Sequence, residues 1–124
     1  AACMSPGKSG MERGLRFTIH WDTPVVPMAP LKLVWATVNR ISTGGVMIGE
    51  NQRISVMEAL RATTINAAYQ NFEEDVKGSI EVGKYADLVI LSEDPRLYPT
   101  RIKDIEVLET IVGGRSVYRK GDDQ

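Results

Sequence analysis

The sequence predicts an α+β protein in which one strand and two helices precede about four further strands. Three observations carry this. Apolar residues recur at helical spacing from Leu31 to Val38, and again from Val56 to Ala67. From Lys77 onward the spacing changes to alternation, the two-residue period of a strand. Between Gly14 and Pro24 the run GLRFTIHWDTP is apolar at Leu15, Phe17, Ile19 and Trp21 and delivers His20 and Asp22 at its far end. Such a run reads as a buried strand ending in polar chemistry, and no other stretch offers a comparable site.

Taken in order, residues 1–13 read as a loop with one helical turn, Ser9 capping Gly10–Arg13. The Leu15–Trp21 strand follows and stops at Thr23-Pro24. Pro24, Pro27 and Pro30 constrain the next segment against helix and central strand alike. Pro30 suits a first helical position, so a helix is expected from there to Arg40. Leu31, Val34, Trp35 and Val38 lie on one face of it. Ser42–Gly45 is a turn, and Val46–Ile48 a short apolar link.

Ser55 and Glu58 have the spacing of a capping box, in which each side chain satisfies an orphan amide of the first turn. The helix they start is expected to run from Val56 to Gln70, burying Val56, Ala59, Leu60, Thr63 and Ala67. Ala67-Ala68 suggest a close helix contact. Gly78–Gly83 alternates like a strand, Ala86–Leu91 is β-rich, and Ile105–Val112 alternates again. Gly113-Gly114 supplies the positive φ angles of a tight hairpin returning through Arg115–Tyr118. The tail Arg119–Gln124 is polar and expected to fray.

Composition excludes several classes. Fifteen Lys and Arg against sixteen Asp and Glu leave a net charge of −1, with no basic footprint for nucleic acid and no polybasic membrane anchor. No apolar run approaches the ~18 residues of a spanning helix. The single Cys3 has no partner for an internal disulfide, so an intracellular, cytoplasmic setting is expected. At 124 residues the chain is too short for a complete (β/α)₈ barrel. It opens at Ala1 in small and polar residues, as though entered midway; a processed start or a tag remnant is the other reading. Gly44-Gly45 and Gly113-Gly114 lack the companions of a nucleotide loop, and no Ser or Cys has the base of a nucleophilic triad.

The motifs GLRFTIHWDTPV (14–25), VNR (38–40), RISVMEAL (53–60), TINAAY (64–69) and KGSIEVGK (77–84) resemble the YtcJ-like branch of the metal-dependent amidohydrolases, which includes N-substituted formamide deformylases. KYADLVIL (84–91) and TIVGGRSVY (110–118) extend the resemblance, which covers roughly residues 9–118. It implies that the chain is similar to the C-terminal part of such an enzyme. Residues 1–76 would then derive from the last βα unit of the barrel and the helices after it. Residues 77–124 would supply the C-terminal strands of an accessory β-sandwich. The resemblance also implies that Asp22 is the carboxylate closing the metal site and acting as general base and then acid.

Read from residue type alone, Asp22 caps a turn before Pro24. His20 is a satisfied polar neighbour or a substrate contact rather than a ligand. Arg40 is expected to pair with an acid or a helix end, Asp87 to be a structural turn acid, and Glu73-Glu74-Asp75 a solvated turn. A catalytic zinc site needs about three protein ligands and water, and this chain has one histidine. The expectation is therefore a segment that binds no zinc or similar divalent metal by itself and is inactive alone. Its unpaired strand edges should form a homo-oligomer or meet a missing N-terminal part. A free-standing, non-catalytic binding or oligomerisation module is the alternative.

Overall fold

The computed structural model describes residues 5–122; Cys3 and the last two residues of the tail lie outside them. Helices α1 (Gly7–Glu12), α2 (Pro30–Asn39), α3 (Val56–Thr63) and α4 (Ile65–Gln70) precede a sheet of β1 (Leu88–Leu91), β2 (Val107–Val112) and β3 (Arg115–Arg119). The α+β class matches expectation, with helices before the sheet and three strands where about four were expected. Short 3₁₀ segments occupy Glu50–Gln52 and Pro99–Asp104.

The core is centred on α2 and α3. Val34, Val38, Ile54, Val56, Ala59 and Ile102 are buried together, with Phe17, Leu31, Trp35, Leu60 and Ile105 packed against them. The expected face of α2 is thus the one that faces inward. Its far end grips the Pro99–Asp104 segment by polar contacts. The Trp35 indole donates to Thr100 O at 2.8 Å, and the buried Asn39 amide donates to Pro99 O and to Trp35 O at 2.9 Å. This bridge brings Ile102 into the core from a segment more than sixty residues away in sequence.

The Ser55 capping box forms in full: Glu58 N donates to Ser55 Oγ at 3.2 Å, and Ser55 N donates to Glu58 Oε2 at 2.6 Å. Ser55→Ala leaves an amide of the first turn without its acceptor. It is expected to lower stability by about 1 kcal/mol, read as a fall in urea midpoint at constant m-value.

Four expectations are corrected by the structure. The helix from Val56 does not run unbroken to Gln70. It breaks at Thr64 (φ −122, ψ −93), where Thr63 and Thr64 both turn their hydroxyls back to Leu60 O at 2.9 and 2.8 Å. Three β-branched residues in succession, Thr63 to Ile65, two of them with hydroxyls that compete for helix carbonyls, account for the break. Ser9 does not cap; it lies inside α1, exchanging hydrogen bonds with the buried amide of Gln52 (2.8 and 3.1 Å).

Neither Leu15–Trp21 nor Gly78–Gly83 forms a strand. Alternation makes a strand only when a neighbour supplies the ladder, and among the described residues none lies beside either segment. The second is wound into a turn instead: Lys84 Nζ donates to Ser79 Oγ at 2.7 Å and meets Glu81 Oε2 at 2.8 Å. Tyr85 N donates to Val76 O across its base at 2.9 Å. Ile80 and Val82 are left almost fully in solvent. Of the Ala67-Ala68 pair, Ala68 is closely approached by the Gly78 backbone.

The three strands that do form are antiparallel in the order β1-β2-β3, with Leu88 opposite Ile111 and Thr110 opposite Tyr118. Gly113 and Gly114 adopt φ of 56 and 78, the hairpin conformation read from the sequence. In the loop after β1, Arg96 clasps the Asp94 carboxylate and its own amide donates to the same group at 2.9 Å, so the Asp94 pKa falls from 3.8 to about 2. A lowered folded pKa means this contact helps the fold above the ordinary carboxylate range and is lost as pH drops through about 2. A carboxyl-carbon NMR titration should place the Asp94 midpoint near 2 and return it toward 3.8 in Arg96→Ala.

Candidate functional site

The site is built on residues 15–22, which side chains hold in place where no strand does. Asn66 Nδ2 donates to Phe17 O at 3.0 Å, Thr18 Oγ1 donates to Gln70 Oε1 at 2.8 Å, and the Arg16 guanidinium lies 4.4 Å over the Tyr69 ring. Asn66, Tyr69 and Gln70 stand at i, i+3 and i+4, one face of α4. The sequence reading assigned none of them a role. That polar spacing within TINAAY, opposite a run with polar residues at alternate positions, is the signal that could have found them.

Opposite α4, the segment borders a groove of about 650 Å³ between it, α1 and α2. Phe17, Ile19 and His20 line one wall, and Leu33, Ala36 and Thr37 of α2 the other. His20 is exposed at this groove; Asp22, also exposed, is not among its lining residues. Asp22 has φ 54, a left-handed conformation that Asp tolerates better than most residues. Its carbonyl accepts from Val25 N at 2.9 Å, and the Thr23–Pro24 bond is cis. The left-handed φ of Asp22 ends the extended run there. The Trp21 indole nitrogen, between His20 and Asp22, is buried without a hydrogen-bond partner among the described residues.

Arg40 ends α2 with φ 58 and donates from Nε to Ile48 O at 2.7 Å and from Nη1 to Ser5 O at 3.1 Å. It braces carbonyls of two loops around the helix end. Asp87 Oδ1 accepts from Gly113 N at 2.8 Å, the structural turn role read for it. Glu73 pairs with Lys77 at 2.8 Å beside an exposed Asp75, as suits a solvated turn. Among the described residues no group of three or more His, Cys, Asp or Glu side chains is placed to hold a metal ion, and no helix is long and apolar enough to cross a membrane.

The chain is 32% identical over 116 residues to the N-substituted formamide deformylase of Arthrobacter pascens, covering 93% of this chain and 21% of that protein. It is 31% identical over 117 residues to YtcJ of Bacillus subtilis, covering 91% and 22%. The crystal structure of an amidohydrolase from Thermotoga maritima superposes with a TM-score of 0.67 at 24% identity, over 89% of this chain and 24% of that one, and so bears on the fold alone. The chain spans about a fifth of the length of the curated relatives it matches. Residues 4–118 match the Amidohydrolase family. With that match over nearly its whole length, the chain belongs to the amidohydrolase family.

Proposed function

We propose that this chain is the C-terminal segment of a metal-dependent amidohydrolase that hydrolyses the C–N bond of an amide or formamide. The observation that carries the reading is the family match over residues 4–118, joined by the likeness to a formamide deformylase. In it, residues 1–76 are the barrel-derived part and 77–124 the share of a β-sandwich.

Asp22 is the catalytic residue of the proposal. Its carboxylate takes a proton as water adds to the carbonyl carbon, and returns that proton to the nitrogen as the C–N bond breaks. Its exposure at the end of the extended segment leaves it open to a substrate. His20, two residues earlier and facing the groove, is a substrate contact. The residues present do not fit a zinc site by themselves: one histidine and one nearby carboxylate fall short of the about three ligands a catalytic zinc needs. The missing donors belong to the rest of the enzyme.

The test is amine release from an N-substituted formamide by the longer enzyme carrying this segment. Asp22→Asn keeps the shape and removes the base, so kcat should fall at least about a hundredfold with KM little changed. Turnover by Asp22→Asn equal to the parent would sink the assignment. Asp22-dependent turnover by the 124-residue chain alone would instead overturn its reading as one segment.

A further inference from the structure

Among the described residues, three hydrogen bonds reach the backbone of the run that carries His20 and Asp22. Leu15 N donates to Gly10 O at 3.0 Å, Asn66 Nδ2 donates to Phe17 O at 3.0 Å, and Val25 N donates to Asp22 O at 2.9 Å. The first and last are local, each closing a turn within a few residues, so they move with the run. The middle one spans 49 residues and ties the run to α4.

The other two contacts with α4 are looser anchors. Thr18 with Gln70, and Arg16 with Tyr69, join side chain to side chain, and each pair includes an exposed residue. A change of rotamer there lets the backbone shift. Asn66 is half-buried and grips the main chain itself. Its helix is also backed on a second face, where Ala68 is buried and the Gly78 backbone lies so close that a Cβ on it would fall 2.7 Å from Ala68 Cβ. Asn66 is therefore a fixed point, and between Phe17 O and Asp22 no hydrogen bond from another element corrects a displacement among the described residues.

We propose that Asn66 is a positioning residue for the hydrolysis: by holding the Phe17 carbonyl on α4, it sets where the run delivers the Asp22 carboxylate. That role rests on the reading of Asp22 as the base. A base must meet its proton within about 2.6–3.2 Å, and a displacement of about 1 Å costs up to about a hundredfold in rate. Without the Asn66 amide the run keeps its local turns but loses its tie to the fold, so the loss falls on the chemical step.

The experiment is a double-mutant cycle on amine release by the longer enzyme carrying this segment, with the parent, Asp22→Asn, Asn66→Ala and the two together. Alanine favours a helix more than asparagine does, so α4 is kept while the donor is lost. Asn66→Ala is expected to lower kcat at least about tenfold and to change KM less than about threefold. Added to Asp22→Asn, it is expected to change the residual rate less than about twofold, because the group it positions is already gone. A residue that only supported the fold would lower both backgrounds alike. If a circular-dichroism melt shows Asn66→Ala unfolded, Asn66→Asp, which keeps the shape and replaces the donor with an acceptor, is read in its place. With Asp22→Asn itself down about a hundredfold, a kcat equal to the parent's, or equal losses in both backgrounds, overturns the positioning role and leaves the functional reading standing. Turnover by Asp22→Asn equal to the parent's overturns the functional reading, and the positioning role with it.

Discussion

Gly78→Ala lowers the stability of this fold by about 2–6 kcal/mol, a large share of what a domain of this size possesses. Two separate terms add. Gly78 has φ of 92, a backbone conformation that L side chains rarely adopt, and holding alanine there costs about 1–3 kcal/mol. A Cβ at this position would also lie 2.7 Å from Ala68 Cβ, 2.9 Å from Ile65 Cα and 3.2 Å from Thr64 O. Two of those atoms are backbone at the start of α4 and cannot swing aside, so the loop must lift off the helix. Lifting it disturbs the helix that holds residues 16–18.

Gly83 supplies the control. Its φ is 94, yet no atom of the described residues lies within 4 Å of the added Cβ, so Gly83→Ala meets only the backbone term. Urea titration of the two variants beside the parent separates conformation from collision. Equal losses at both positions would show that the approach of Gly78 to Ala68 is not a tight contact.

Ile102→Ala follows, with an expected loss of about 2–5 kcal/mol. Ile102 is fully buried and enters the core from the Pro99–Asp104 segment, in one cluster with Val34, Val38, Ile54, Val56 and Ala59. Removing its branches leaves a cavity that neighbours fill poorly, because the segment is tied to α2 by the Trp35 and Asn39 hydrogen bonds to Thr100 O and Pro99 O. Those ties prevent the collapse that would reduce the loss. Ile102→Val removes a single methylene and should lose about 0.5–1.5 kcal/mol. If alanine abolishes folding, the valine variant still gives the slope. A valine variant as stable as the parent would mean that Ile102 does not pack as described.

The two substitutions mark different limits of reading a sequence. Gly78 stands in the motif Gly-x-x-x-x-Gly-Lys, which marks the residue, but the same motif treats Gly83 alike. Only the fold puts Ala68 and Ile65 against one of them and open solvent against the other. Ile102 looks ordinary in sequence, an apolar residue between charges, and became a core residue because α2 captured its segment through polar contacts spanning about sixty residues. The candidate site divides the same way. Asp22 and His20 were legible as the polar end of an apolar run. Asn66, Tyr69 and Gln70, which hold that run in place, were not, because their helix is far along the chain.

What the sequence determined by itself is whatever a few neighbouring residues settle through local geometry. The Pro30 start of α2, the Ser55–Glu58 box and the Gly113-Gly114 hairpin each need only residues within one turn. Tertiary structure alone decided which alternating runs became strands. Residues 88–91 and 107–112 found each other and did, whereas 15–21 and 78–83 met no ladder and became a held segment and a turn. The physical reason is that a helix satisfies its backbone from within, whereas a strand takes its hydrogen bonds from a neighbour that its own residues do not specify.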